Sequence, residues 1–170
     1  RIMSTIPVAT QTTLGGVIVD GDTITIDESG TISVVDSGSF NSPTITGITN
    51  IQHITEVVTP IQNATGTVTH NFETAGSIFY HTNVQSNFIA NFTNMPLENN
   101  RSYVITLIIE QANNTYIPSG VSINGELQNF FWVGNESPNG TPNSKEFFTY
   151  NILRVNDDWV ITVSATAFGG

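Results

Sequence analysis

Short runs of alternating β-branched and polar residues, separated by tight-turn sequences, restrict the fold of this chain more than any other feature. Within residues 14–35, the alternating runs are Val17-Ile18-Val19, Thr23-Ile24-Thr25-Ile26 and Thr31-Ile32-Ser33-Val34. A period of two matches the side-chain period of a strand, and an Asp-Gly step between such runs is a strong hairpin signal. We therefore predict a small β-meander over residues 1–35.

The acidic residues between these runs admit two interpretations. Asp20, Asp22, Asp27 and Glu28 could supply oxygen ligands to a metal, as a calcium loop does. The residues between the two acidic groups alternate as a strand, which would place the groups at opposite ends of a hairpin. We interpret them as turn residues, and no metal site is predicted.

Composition favours strands along the whole chain. Ile and Val outnumber Leu and Ala, and β-branched residues suit a pleated surface while losing side-chain freedom in helices. Only 11% of the 170 residues are charged, so Thr, Asn, Ser and Gly supply most of the polarity. No apolar run approaches the roughly 18 residues that span a bilayer, and membrane insertion is not expected.

Charge and cysteine content exclude several classes of function. The net charge is −10, and the four basic residues are dispersed along the sequence. Nucleic-acid binding requires clustered Lys and Arg to displace counterions from phosphates, so nucleic acid is not an expected partner. The absence of cysteine excludes disulfides, thiolate nucleophiles and Cys-based zinc sites.

The predicted meander is too small to be stable alone. A ribbon of three strands of about four residues buries little apolar area, and its edges could pair with other chains. Association of identical copies around an axis would cover its apolar side. We therefore predict a homo-oligomer, with the following contact residues: Leu14, Val17, Val19, Ile24, Ile26, Ile32 and Val34.

Residues 36–65 are predicted to be an extended connector. This segment is rich in Ser, Thr, Asn and Gly, and Ile45, Ile48, Ile51 and Ile54 recur at every third position. A period of three fits neither a flat strand nor a helix, and Pro43 and Gly47 further disfavour a helix.

Residues 66–170 are predicted to form an antiparallel, jelly-roll-like β-sandwich. Candidate strands lie at 66–72, 77–81, 86–92, 102–110, 121–123, 126–133, 145–155 and 158–167. Asn124-Gly125 is a type I′ hairpin sequence, and Asn156-Asp157-Asp158 is typical of a hairpin tip. About eight strands without a convincing helix indicate an all-β domain.

Candidate catalytic groups are few. A glycosidase needs two carboxyl groups facing each other across a cleft, but only Glu110, at the end of an apolar strand, has a sequence context that suggests burial. His70 and His81 would meet if their strands formed a hairpin, but without a third ligand they are a weak metal site. No catalytic, cofactor-binding or metal-binding residue is predicted, and we do not expect an enzyme.

The aromatic residues suggest a second class of function. Most of them are expected to lie in the core, because aromatic side chains supply much of the buried area in such domains. Tyr116 and Trp132 stand next to Asn-rich segments and are the best candidates for stacking against a sugar ring. A host-glycan-binding module is therefore an alternative hypothesis.

Two stretches resemble a known group of proteins. ATQTTLGGVIVDGDTITIDESGTISV, residues 9–34, is similar to short modules of fibre-like structural proteins in tailed bacteriophages. Residues 66–140 and 148–170 resemble the C-terminal domain of virion structural proteins from phages of marine cyanobacteria. The matching motifs are Ile78-Phe79-Tyr80-His81-Thr82, Asn91-Phe92-Thr93-Asn94-Met95-Pro96, Tyr116-Ile117-Pro118, Trp132-Val133-Gly134, Trp159-Val160 and Phe168-Gly169.

This resemblance implies a non-enzymatic component of the phage particle. It implies a homotrimer at the virion surface that contacts other virion proteins, and it transfers no catalytic residue. A tail fibre is the first interpretation. A capsid decoration or head fibre protein is the alternative within the same class. The resemblance says little about what the distal surface contacts, and a host surface glycan is a partner only under the alternative hypothesis based on Tyr116 and Trp132.

Overall fold

A computed structural model describes residues 24–26, 32–34, 52 and 55–169 of the chain. The chain divides into two compact units, Arg1–Gln52 and His53–Gly170. Each unit is described by itself below.

In the first unit, two short strands form an antiparallel pair. Strand β1 (Ile24–Ile26) pairs with β2 (Ile32–Val34), with Ile24 opposite Val34 and Ile26 opposite Ile32. These two strands of the predicted meander are confirmed. Four kinds of prediction lie outside the described residues: the strand at 17–19, the acidic turns, the contact residues Leu14, Val17 and Val19, and the isoleucine repeat of the connector.

The second unit consists of ten strands in two sheets. The strands are β3 (Val58–Gln62), β4 (Gly66–Asn71), β5 (Ile78–Thr82), β6 (Phe88–Thr93), β7 (Arg101–Glu110), β8 (Pro118–Ile123), β9 (Glu126–Gln128), β10 (Phe131–Trp132), β11 (Ser144–Val155) and β12 (Asp158–Gly169). One sheet has the order β10-β12-β11-β7-β5-β3, and the other has the order β4-β6-β8-β9. A single helical turn, α1 (Phe72–Ala75), follows β4, and a short 3-10 turn spans Val133–Asn135.

The first six of these strands alternate between the two sheets. β3, β5 and β7 are parallel neighbours in the six-stranded sheet, and β4, β6 and β8 are parallel neighbours in the four-stranded sheet. Parallel neighbours need a crossover connection, and here each crossover is a strand of the opposite sheet. The chain therefore coils three times through both sheets before β11 and β12 extend the larger sheet as a long antiparallel hairpin.

The two sheets face each other across one hydrophobic core. Burial alternates along β7, where Ile105, Leu107 and Ile109 point inward and the residues between them point outward. From the opposite sheet, Phe92 of β6 meets Tyr150 of β11 with the ring centroids 5.0 Å apart. This alternation is the pattern that the sequence predicts for strands with one face on a core.

The outward-pointing residues of the six-stranded sheet form a surface that we call the outer face. Away from the charged ends of β7, β11 and β12, this face includes Phe131, Val160, Thr162, Ser164, Thr166, Phe147, Thr149, Asn151, Leu153, Val104, Thr106, Ile108, Ile78, Tyr80, Val58 and Pro60. None of these side chains is charged. Glu110 and Lys145 form an ion pair at one end of this face, with 3.4 Å between Nζ and Oε1.

The predicted all-β class is confirmed, and the sheets are mixed rather than antiparallel throughout. In the second unit, five strand pairings are parallel and three are antiparallel. The six-stranded sheet also begins inside the segment predicted as a connector, because β3 lies within residues 36–65 and pairs with β5. Pro60 obscured this strand in the sequence, since proline within sheets is confined mainly to edge positions such as β3.

Asparagine is abundant in this unit because it occupies turn positions with positive φ. Nine residues other than glycine have positive φ, namely Asn63, Asn83, Asn94, Asn100, Asn124, Asn135, Asn143, Asn156 and Asp157. Asn and Asp tolerate this region better than other residues with a Cβ atom. The two-residue turns at Asn124-Gly125 and Asn156-Asp157 have positive φ at both positions, which confirms the predicted hairpins.

The coil also brings equivalent asparagines together. Asn63 follows β3 and Asn83 follows β5, one coil apart, and Asn83 Nδ2 donates a hydrogen bond to Asn63 Oδ1. At the other end of the strands, Asn94 Nδ2 donates to Asn71 Oδ1 over 3.1 Å. These amide pairs link successive coils at the turns, where the backbone ladder of the sheets ends.

Candidate functional site

Among the described residues, the buried acid is Glu146, not Glu110 as its sequence context suggested. Glu110 follows Ile109, and strand alternation therefore directs it outward, where its side chain is 50% exposed. It accepts a hydrogen bond from the Tyr80 hydroxyl over 3.2 Å and pairs with Lys145. Glu146 lies opposite Ile109 in the β7–β11 register, so it shares the inward direction of Ile109 and is 3% exposed.

Gln111 is the partner of this buried carboxylate. Its Nε2 group donates to Glu146 Oε2 and, over 2.8 Å, to the backbone carbonyl of Tyr116. Its Oε1 atom accepts from the Tyr116 backbone N–H over 3.0 Å. Gln111 is 5% exposed, so it closes this end of the core with satisfied polar groups and fixes the segment 111–116 at Tyr116.

His70 and His81 meet inside the core, as the sequence suggested, although by a different route. Their strands β4 and β5 belong to opposite sheets and do not form a hairpin. The two Nε2 atoms are 3.0 Å apart, and neither residue has measurable exposure. Three phenylalanine rings surround the pair, with centroids 4.8 Å (Phe79) and 5.5 Å (Phe92) from His70 and 5.2 Å (Phe88) from His81.

The hydrogen bond between the rings requires opposite tautomers. Each neutral imidazole carries one N–H, so one Nε2 must donate while the other accepts, and the accepting ring then carries its proton on Nδ1. Neither Nδ1 atom has a hydrogen-bond partner among the described residues. Burial lowers the pKa of His70 more than interactions with the backbone at Val68 and Asn91 raise it.

Burial keeps both histidines neutral near pH 7. It lowers the pKa of His81 to about 4. Burial, followed by repulsion from the charge on His81, lowers the pKa of His70 to about 3. Both rings lie inside the core, so a substrate has no access to them in the folded protein, and general acid–base catalysis on an external substrate is not supported there.

The histidine pair also lacks the partners of a metal centre. A structural zinc site uses four ligands and a catalytic site at least three from the protein. Among the residues that the structure describes, no three His, Asp or Glu side chains are grouped closely enough to hold a metal ion.

A cleft of about 590 Å³ opens at the end of the six-stranded sheet where β5 and β7 finish. It is lined by residues 83–85, which follow β5, by residues 110–114, and by Tyr116. Its volume falls in the range of small-molecule sites, but its lining is polar rather than apolar. Glu110 is the only carboxylate in this lining, so the cleft lacks the acid pair that glycoside hydrolysis uses.

Several amides of the cleft have one end engaged and the other available. Asn83 Nδ2 donates to Asn63, Gln85 Nε2 donates to the Asn83 carbonyl over 2.8 Å, and Asn113 Oδ1 accepts from Asn143 over 3.1 Å. Within the described part of the chain, Asn83 Oδ1, Gln85 Oε1 and Asn113 Nδ2 have no such partner. These bonds hold the amides in place while leaving two acceptors and one donor for a ligand.

The structure separates the two aromatic residues proposed for sugar contact. Tyr116 lines the cleft and is half-buried. Trp132 is not part of the cleft lining. It lies on β10 against the core, edge-on to Phe130 and Phe148, with centroids 5.5 and 6.2 Å away. The position of Trp132 favours a packing role. The other residues that line the cleft, Gln111 and the amide side chains among them, were not predicted from the sequence.

Within the described residues, no helix has both the length and the apolar character that crossing a bilayer would require. Comparison of the chain with protein-family models, with curated proteins and with solved structures finds no match.

Proposed function

We propose that this chain is a structural protein of a bacteriophage particle, a non-enzymatic fibre-like component that assembles with its own copies as a homotrimer at the virion surface. The outer face of the six-stranded sheet carries the proposal. The sequence resemblance to phage virion proteins supplies the biological setting and the number of copies. A tail fibre is the first assignment, and a capsid decoration or head fibre protein is the alternative within this class.

The outer face has exposed apolar side chains that a solitary domain would leave in water. Val58 is 51% exposed, Val104 53% and Phe131 57%, and Val160 and Leu153 are also exposed. Single exposed apolar residues are ordinary, but these lie on one surface spanning all six strands. Exposed apolar side chains that share one sheet face favour an interaction site over random scatter, and their burial against another surface would be favourable.

The charge of the chain favours another copy of the same chain as the surface that covers the outer face. The chain carries a net charge of −10, so two copies repel each other over most orientations. The outer face, neutral between its strand ends, permits close approach without placing like charges opposite one another. A neutral surface on an acidic protein therefore offers identical copies a contact that avoids this repulsion.

The motif residues behind the resemblance have structural positions. Phe79 and His81 of β5, Phe92 of β6, and Met95 and Ile117 are all buried in the core. Since these positions maintain packing and turns, they support a shared fold and carry no chemistry. The predicted contact positions of the N-terminal ribbon would add a second zone of contact between copies.

The particle itself provides the test of this function. We expect peptides of this chain in virions of the encoding phage after density-gradient purification, in a copy number that is a multiple of three. Quantitative mass spectrometry of the purified particles measures both. Detection of the protein in infected lysate but not in purified particles would contradict the proposal.

A further inference from the structure

We propose that the cleft between residues 83–85 and the segment 111–116 is a binding site for a neutral saccharide. The cleft combines amides held in place with a partly exposed aromatic ring. It lies at the end of the six-stranded sheet where β5 and β7 finish. The proposal therefore goes beyond the structural role and holds whether or not copies associate.

The polar groups of the cleft match the hydroxyl groups of a sugar. A hydroxyl both donates and accepts, and it is best recognised by acceptors and donors placed side by side. Asn83 Oδ1 and Gln85 Oε1 offer acceptors, and Asn113 Nδ2 offers a donor from the opposite wall. Because their other ends are already bonded within the protein, these amides lose little side-chain freedom when a ligand binds.

Tyr116 supplies the apolar part of the site. The C–H face of a pyranose ring can pack on an aromatic ring, while the phenol hydroxyl serves as a polar group. The two hydrogen bonds from Gln111 hold the backbone of Tyr116, not its side chain. The backbone of Tyr116 is thus fixed by a buried residue whose own partner is the buried Glu146.

Charge restricts the ligand to neutral sugars. The residues lining the cleft include no Lys, Arg or His, and their one carboxylate is Glu110. The carboxylate of a sialic or uronic acid would therefore find no cationic partner among the lining residues. Glu110 is itself paired with Lys145 at 3.4 Å, which leaves little net charge to attract a cationic ligand.

Titration of the full chain with methyl glycosides of glucose, galactose, mannose and N-acetylglucosamine, followed by NMR, tests the site. We expect at least one of these to shift the amide signals of Asn83, Gln85 and Asn113, and N-acetylneuraminic acid to leave them unchanged. Failure of all four neutral sugars to bind would overturn the proposal. Binding of the acidic sugar at equal affinity would overturn its neutral character.

Substitutions of residues that line the cleft test whether sugar binding occurs there. Tyr116→Ala should weaken binding at least tenfold, and Tyr116→Phe should weaken it less because the ring remains. Should Tyr116→Ala fail to fold, Asn114→Ala provides the second test, since Asn114 lines the cleft and has no side-chain hydrogen bond within the described residues. Asn129→Ala, at an exposed amide outside the cleft lining, is the matched control and should bind as the parent does.

Unchanged affinity in both the Tyr116 and Asn114 variants would contradict the assignment of the site. The oligomeric state of each sample, measured in parallel, separates this proposal from the previous one. A monomer that binds sugar would refute only the assembly, and an oligomer that binds none of the neutral sugars would refute only the saccharide site.

Discussion

At the residue scale, the buried pair of His70 and His81 makes folding stability depend on pH. Both pKa values are lowered in the folded protein, to about 3 and about 4, from 6.5 in the unfolded chain. The unfolded chain therefore binds protons more readily, and acid favours unfolding. Stability from this source is fully present above pH 6.5 and falls as the pH drops toward 4.

We expect the free energy of unfolding to decrease by roughly 2 to 3 kcal/mol per pH unit between about pH 6 and pH 4.5, since two histidines each contribute about 1.4 kcal/mol per unit. Urea unfolding at a series of pH values measures this slope. The double variant His70→Phe/His81→Phe removes both groups and should flatten the dependence. An equally steep slope in the double variant would contradict the assignment.

Tyr150 provides a second test at this scale. Its ring lies fully buried between the sheets, and its hydroxyl has no hydrogen-bond partner among the described residues. Burial raises the pKa of this phenol, so it remains protonated. An unpaired buried polar group is costly, and Tyr150→Phe removes it without changing the shape of the ring.

We expect Tyr150→Phe to stabilise the protein by about 1 kcal/mol, read from the midpoint of urea or thermal unfolding. Tyr103→Phe, at a half-buried ring, is the matched control and should change stability much less. A clear loss of stability in the Tyr150 variant would indicate that the hydroxyl is bonded in solution, for instance to a buried water molecule.

At the scale of elements, the loop between β10 and β11 is held against the segment 111–116 by a close contact at Gly140. The φ angle of Gly140 is +78°, and a Cβ atom at this position would lie 2.6 Å from Thr115 Cβ. Thr115 Oγ1 also donates to the Asn139 carbonyl over 3.0 Å. Any side chain at position 140 must therefore displace Thr115 as well as adopt an unfavourable backbone conformation.

We expect Gly140→Ala to destabilise the protein by more than 2 kcal/mol, combining about 1 to 2 kcal/mol for positive φ with the cost of the steric clash. Gly134 is the matched control in the same loop, with φ of +72° and no neighbouring atom within 4 Å of the position that a Cβ atom would occupy. Gly134→Ala should show the backbone cost alone. Equal effects of the two substitutions on the unfolding midpoint would contradict the contact.

The sequence predicts where individual strands lie better than it predicts which strands pair with one another. The predicted strands at 102–110, 145–155 and 158–167 match β7, β11 and β12 to within two residues, because alternation and turn sequences are local signals. Parallel pairing depends on which strand, distant in sequence, lies next to a given strand. The alternation of apolar and polar residues is the same whether that neighbour is parallel or antiparallel. The coil of β3 to β8 therefore could not be read from the sequence.

The same limit applies to the candidate site. Tyr116 stood out as an aromatic residue next to an Asn-rich segment, and it does line the cleft. Glu146 and Gln111 did not stand out, because their burial follows from the register of β11 on β7 rather than from their neighbours in sequence. Consecutive residues of a strand point to opposite faces of the sheet. Because Ile109 points into the core, Glu110 points outward, and the burial that its sequence context suggests is found instead at Glu146, opposite Ile109.

At the scale of the whole molecule, the proposed assembly rests on an acidic chain with a neutral, partly apolar outer face. Polar Thr and Asn side chains between the apolar ones keep this face compatible with water before copies meet. Because the face has no charge between its strand ends, the predicted association should depend weakly on salt. If copies instead met through acidic surfaces, salt would screen the repulsion between them, and the association would strengthen markedly as the salt concentration rises.

Sedimentation velocity of the full chain at micromolar concentration tests the central claim most directly. We predict a trimer for the parent chain and a shift toward monomer for Val104→Glu, which places on the outer face a charge that the proposed interface would bury. The matched control is Leu127→Glu, at a residue 72% exposed on β9 of the other sheet, which should remain trimeric. A monomeric parent chain, or an unchanged trimer in Val104→Glu, would contradict the account.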